Sequence, residues 1–353
     1  MKKSRLYFNA LAIVAILTLT AAFPVRAQSS SSEELTIQPS AADRDAVQAA
    51  TLRYRHANAA NNAAGQALRA RQIAEQNPPR DATSAWSGNG TILQYAGDVA
   101  DGGGKVMQTA VSHAIYLQMQ AGGSCTIATC WGDPEGYLRD LGLSDFIHVI
   151  DQYVRRFDAN RYTVGFHATV NDAAPAAALH DSDIQAIVHA AAAKSGASGY
   201  GHIYHVFLPP GQDECFDSTL SECYSPDNPA TFYFCAYHSS VDFPDIGHLI
   251  YTVQPYANIA GCQVFPGTPN GSLVDSANNA LSHEMFESIT DPDGDAWTNT
   301  DSLNMLGSEI ADECEFAEHD GSGFYVPTFL IGARIYAVQL VYSNEQHACS
   351  SAP

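Results

Sequence analysis

Apolar and polar positions alternate along this chain with two different periods, and the sharpest helical period lies at residues 275–291. At about 100° per residue, Leu281, Met285 and Ile289 share one face, and His283 and Glu287 share the opposite one, with Glu284 at its edge. Asp275 or Ser276 is suited to cap the start, because a short oxygen-bearing side chain accepts an orphan backbone N–H. Pro292 ends the helix, since the residue before proline is pushed out of the helical region. Residues 144–155, opened by Ser144 and carrying Phe146, Ile147, Ile150 and Tyr153 at helical spacing, predict a second helix, and the Ala- and Ile-rich residues 181–194 a third.

Strand patterns fill the space between. Residues 92–95, 110–119, 162–164, 203–208, 231–238 and 249–253 read as strands, and Pro209-Pro210-Gly211 closes the apolar run before it. After the turn Gly321-Ser322-Gly323, residues 324–330 and 334–342 predict a terminal hairpin. Helix, strands, metal-type helix and a later acidic segment, in that order, predict an α+β fold. It would be a zincin-like domain, with a twisted mixed sheet packed on an H-E-x-x-E helix.

The N-terminal quarter reads differently. Lys2, Lys3 and Arg5 precede an apolar run at residues 6–23, and Val25-Arg26-Ala27 offers small residues for cleavage, so residues 1–27 are expected to be a signal peptide. Residues 28–40 read as a disordered tail, and the stretch from 41 to 76, rich in Ala, Arg and Gln, as a helical extension. Asn77-Pro78-Pro79 stops it, a linker follows to residue 90, and the main domain is expected over residues 91–353.

Charge and cysteines narrow the class. A formal charge of −21, more negative still once the basic leader is removed, disfavours nucleic acid as a partner. No second stretch is long and apolar enough for a membrane span after signal cleavage. The eight cysteines, even in number and without a C-x-x-C pair, imply disulfides in an exported protein. Eight cysteines admit 105 pairings. The pairing adopted is Cys125–Cys130, Cys215–Cys223, Cys235–Cys262 and Cys314–Cys349.

The candidate chemistry sits on the helix. H-E-x-x-H is the zinc-protease pattern, with two His ligands one turn apart and the Glu between them as general base. Here the second His position is Glu287. A carboxylate binds zinc at distances like those of imidazole, and it also admits harder ions such as calcium or manganese. The expected ligands are His283 and Glu287, with Glu309 as the third and Asp312 as either a ligand or the partner orienting His283. Glu284 is the expected general base, and His238, on a strand before the helix, is an accessory candidate that also reads as a packed strand residue. Asp291, Asp293 and Asp295 are spaced like part of a calcium loop but lack its terminal Glu, so they read as a solvated turn. The Gly-rich loop at residues 101–104 lacks the spacing of a phosphate loop, and no G-x-S-x-G supports a serine hydrolase.

These residues carry a resemblance. His283, Glu284, Glu287, Asp291, Pro292, Asp295, Ala296, Trp297, Glu309, Ile310, Asp312 and Cys314 fall on the pattern H-E-x-x-E, D-P, A-W, E-I-x-D-x-C. This resembles the phosphate-induced-protein, or EXORDIUM-like, family. Cys235-Ala236-Tyr237-His238 and the ending Tyr336-Ala337-Val338-Gln339, Tyr342-Ser343-Asn344 and Cys349 agree with it. Ala311 and Tyr342 stand where the family usually has Gly and Trp. The resemblance implies a secreted extracellular or cell-wall protein on a divergent zincin scaffold. Two functions are compatible with it: a zinc-dependent peptidase-like hydrolase acting on a peptide or cell-wall substrate, or a non-catalytic extracellular binding module with a structural ion.

Overall fold

The computed structural model of the protein describes residues 34–59, 97–119, 126–154, 161–172, 178–225, 228, 230–257, 262–264, 266–300, 307–315 and 328–353. In chain order the elements are β1 (Glu34–Ile37), α1 (Ala41–Ala49), β2 (Thr51–Ala59), β3 (Val99–Asp101) and β4 (Ala110–Met119). Next come α2 (Ile127–Cys130), α3 (Pro134–Gly142), a 3-10 turn (Phe146–Ile150), α4 (Asp151–Val154) and β5 (Tyr162–Asp172). Then follow β6 (Leu179–His180), α5 (Asp181–Ser195), β7 (His202–Phe207), β8 (Glu214–Cys215), β9 (Cys223–Tyr224), β10 (Phe234–Phe243) and β11 (Gly247–Gln254). The chain closes with α6 (Ser272–Thr290), β12 (Trp297–Asn299), α7 (Asp312–Glu315), β13 (Thr328–Ile331), β14 (Arg334–Ala337), β15 (Val341–Ser343) and β16 (Ala348–Ser350).

A seven-stranded sheet, in the order β1-β5-β4-β7-β11-β10-β2, forms the centre. Its first five strands run parallel, and β10 and β2 add antiparallel pairings at one side. Side chains alternate between the faces, as the pleat requires. Ala114, Tyr116, Ile203 and Phe207 join Leu281, Met285, Phe286 and Ile289 of α6 in one core. Ile115, Leu117, Tyr204 and Val206 join Ile184, Ile187 and Val188 of α5 in the other. The mixed α+β architecture and the apolar face of α6 are therefore as the periodicity implies.

The N-terminal segment departs from the sequence reading. Residues 34–59 are not a tail and a helical extension but two sheet strands joined by α1. β1 lies parallel to β5, and β2 lies antiparallel to β10, where His56 stands opposite His238. Only Ala41–Ala49 is helical, opened by Ser40, whose hydroxyl accepts from the Asp43 N–H. Pairing with β10 overrides the helix propensity of the stretch that follows. The main domain thus begins well before residue 91.

Smaller differences follow from local physics. Helix α6 starts at Ser272 rather than at a cap on Asp275 or Ser276, because Gly271 supplies the entry at φ 86°. Asp275 is then freed to accept from the N–H of Asn270 and of Ala337. The helix ends at Thr290, before Pro292, as expected. Residues 146–154 form a 3-10 turn and one helical turn instead of one helix, and β5 runs well past residue 164. The strand expected at residues 92–95, the signal peptide and the linker lie outside the described residues.

Three of the adopted disulfides are formed: Cys215–Cys223, Cys235–Cys262 and Cys314–Cys349. Cys130 is disulfide-bonded as well, and Cys125, its expected partner, lies outside the described residues. Among the described residues, no helix is long and apolar enough to cross a membrane.

Candidate metal centre

Helix α6 lies across the sheet and is buried along most of its length, polar residues included. Positions three and four apart on a helix point the same way, so His283, Glu284 and Glu287 all face the antiparallel side of the sheet. There β2 and β10 present Tyr54, His56 and His238. The fourth wall is the segment carrying Glu309 and Asp312. It is held in place by the buried Ile310 and Ala311, by a backbone bond from Tyr342 to Ile310, and by the Cys314–Cys349 bridge.

The convergence is close. His283 Nε2 lies 3.2 Å from Glu287 Oε2 and 3.7 Å from Asp312 Oδ1. His56 Nε2 lies 2.8 Å from Asp312 Oδ2. His238 Nδ1 lies 3.3 Å from Glu284 Oε2 and 3.7 Å from Glu287 Oε2, and its Nε2 is 3.7 Å from Glu309 Oε1. Tyr54 donates its hydroxyl to Glu309 Oε1 at 2.8 Å. Four carboxylates and three imidazoles thus share one enclosure, with every one of the seven at most 4 % exposed.

Four of the buried atoms that face inward have no hydrogen-bond partner: His238 Nε2, His283 Nε2, Glu287 Oε2 and Glu309 Oε2. Buried polar atoms are ordinarily satisfied, and such atoms gathered without hydrogen-bond geometry suit a shared cation. Tetrahedral ligands on bonds near 2.1 Å stand about 3.4 Å apart, close to the 3.2 and 3.7 Å seen here. Two triads are compact enough for an ion: His56, Glu287 and Asp312, and His238, Glu284 and Glu287. Neither includes His283 or Glu309, which touch the triads pairwise.

The electrostatics agree. Burial pushes the Glu309 carboxyl well above the usual range, and Asp291, Glu287 and Asp312 add to the effect. Burial opposes the charged form of His283, yet Glu287, Glu284 and Asp312 hold its pKa well above the ordinary value. His238 is driven well below, by burial and then by His56 and His283. Glu309 and His283 thus favour their protonated forms, and a cation would displace those protons on binding.

A contrast on the other face of the sheet shows what a self-sufficient buried acid looks like. Asp181 there is met by Arg55 at 2.7 Å, by Gln185 and by the hydroxyls of Tyr237 and Tyr251. No lysine or arginine among the described residues pairs with Glu287 or Glu309.

The sequence-predicted residues therefore meet, with several amendments. Asp312, not Glu309, faces His283. The partners at His283 Nδ1 are Gln339 at 3.2 Å and Asn58 at 3.4 Å, so these, rather than Asp312, set its orientation. Gln339 Nε2 also donates to the Ala311 carbonyl, tying the acidic segment to the helix. His238 is a member of the cluster rather than an isolated packed residue. His56 went unnoticed, since a single histidine in an Ala-rich stretch carries no motif. The three Asp residues after the helix lie in a turn whose Asp295 is exposed, as expected, while Asp291 is buried and Asp293 half-buried. Asp291 Oδ1 accepts from the Ala296 N–H, and Asp293 meets Ser240 and Tyr200. The glycine loop packs beneath them, and a Cβ on Gly104 would fall 1.8 Å from Asp295 Oδ1. Those glycines permit close approach of two backbones rather than phosphate binding.

Buried His, Glu and Asp groups in this enclosure can hold a metal ion. In comparisons with known proteins, no family model, no curated protein and no solved structure matches the chain.

Proposed function

We propose that this protein is an exported, divalent-cation-dependent hydrolase of the divergent zincin kind, with peptides as the favoured substrate class. The observation that carries the reading is the meeting of His283 and Glu287 with Asp312 and His56, beside a glutamate one position along the helix. His56, Glu287 and Asp312 would hold the cation, zinc first and calcium or manganese next, with His283 Nε2 as a fourth donor. Such an ion polarises a carbonyl and lowers the pKa of water. Glu284 then takes the proton of the attacking water and delivers it to the leaving amine. His238 Nδ1, at 3.3 Å from Glu284, fixes the carboxylate for both transfers. Tyr54 keeps Glu309 turned toward the histidines. Three disulfides support folding in an oxidising compartment, hence export. The resemblance to the phosphate-induced-protein family, which implies an extracellular or cell-wall setting, agrees with this.

One observation favours a second reading. The cluster is closed, and structural ion sites are closed whereas catalytic ones keep an open position. In that reading the protein is an extracellular binding module, and the ion ties α6 to the Glu309–Asp312 segment. The two separate on one experiment. Oxidised protein carrying its cation is incubated with a fluorogenic peptide library, alongside Glu284→Gln. Cleavage by wild type and its loss in the variant, with cation content equal, establishes the hydrolase. Equal cation content with no cleavage by either establishes the module.

A further inference from the structure

The two triads share Glu287 and nothing else. Among the described residues, no compact group unites His56 with His238, so one ion does not satisfy both. Ligand atoms on a single zinc at 2.0–2.2 Å stand at most about 4.4 Å apart. The two histidines approach from adjacent strands, β2 and β10, with ring centres 5.9 Å apart. Glu287 lies between them. Its Oε1 accepts the Asp312 N–H at 3.1 Å, and its Oε2, without a hydrogen-bond partner, faces His238 and His283. A carboxylate placed this way is a bridge.

We propose that the enclosure takes two divalent cations bridged by Glu287, the second held by His238 and Glu284, and that the second ion inhibits. This rests on the hydrolase reading only for the word inhibits. The charge supports the count. With any protons displaced by cation, Glu284, Glu287, Glu309 and Asp312 bring four negative charges into a buried space, and one divalent ion offsets half of them while two offset all. His238 Nδ1 sits 3.3 Å from Glu284 Oε2 and 3.7 Å from Glu287 Oε2, so a second ion has three donors already gathered. Glu309, whose Oε1 is 3.7 Å from His238 Nε2, closes that side. Once ligated, Glu284 has its charge drawn toward the ion and is a far weaker base toward water. The same residue is thus a base with one ion present and a ligand with two.

Oxidised, metal-free protein is titrated with Zn2+ and followed by native mass spectrometry, and with Mn2+ followed by electron paramagnetic resonance. Two ions per chain are expected, bound in sequence, the second at least tenfold more weakly, with a spin-coupled Mn2+ spectrum at saturation. His238→Gln, which keeps a polar side chain in the strand, should stop at one ion. Peptide cleavage should rise through the first equivalent and fall through the second. A single ion in wild type, two uncoupled Mn2+ ions, or two ions retained by His238→Gln each overturn the proposal. Two ions without any peptide cleavage leave the bridged pair standing and remove the hydrolase. One ion with cleavage that Glu284→Gln abolishes does the reverse.

Discussion

Removing the Cys314–Cys349 bridge should loosen both the fold and the ion site, and by a calculable amount. The bridge closes a loop of 35 residues. Constraining a loop of that length in the unfolded chain contributes about 4 kcal/mol at 25 °C in the chain-entropy model. The double variant Cys314→Ala/Cys349→Ala isolates this term, since alanine leaves no unpaired hydroxyl at the fully buried Cys314. With a urea m-value near 3 kcal/mol/M, suited to a chain of this size, the midpoint should fall by a little over 1 M. The variant should also respond less to cation. Glu309 and Asp312 lie only a few residues before Cys314, and the bridge is what ties that segment to β16. Urea unfolding of wild type and variant, each metal-free and zinc-saturated, gives both quantities. If the midpoint falls by less than about 0.3 M and the zinc increment is unchanged, packing of Ile310 and Ala311 alone positions the acids, and the reasoning is wrong.

Three further outcomes are expected. Asp291 has its pKa raised to about 7, chiefly by burial. A raised carboxyl favours the folded state while protonated, so metal-free stability should decline as pH rises from about 4 to about 7, by up to about 4 kcal/mol. Asp291→Asn should flatten that slope in urea titrations between pH 4 and 8, and an unchanged slope would count against the burial argument. Gly294 has φ +73°, and a Cβ there would sit 2.2 Å from the Tyr54 ring. Gly294→Ala should therefore cost about 1–3 kcal/mol and weaken zinc binding in calorimetry by dislodging Tyr54 from Glu309. Leu281→Ala, at a position 1 % exposed under the sheet, should cost about 2–5 kcal/mol in the same denaturation assay.

What could be read from the chain divides by range. The helix bearing His283 and Glu287 was legible because its apolar face repeats locally and Pro292 stops it. The strand at residues 110–119 was legible for the same reason, as a run with its own alternation. His56 and the antiparallel edge were not. Residues 51–59 are strand only because β10 accepts them as a neighbour, and that pairing spans some 180 positions. The choice between Glu309 and Asp312 was likewise out of reach. They differ by one turn, and which of them faces His283 depends on Gln339 holding the Ala311 carbonyl from far down the chain.

His283 is clasped by Asn58 from the first strands and by Gln339 from the last ones. A chain emerging from a ribosome owns one half of this clasp long before the other. The support around His283 is therefore complete only once residue 339 has been made. A product cut back past Asn58 or Gln339 would keep only half of the clasp.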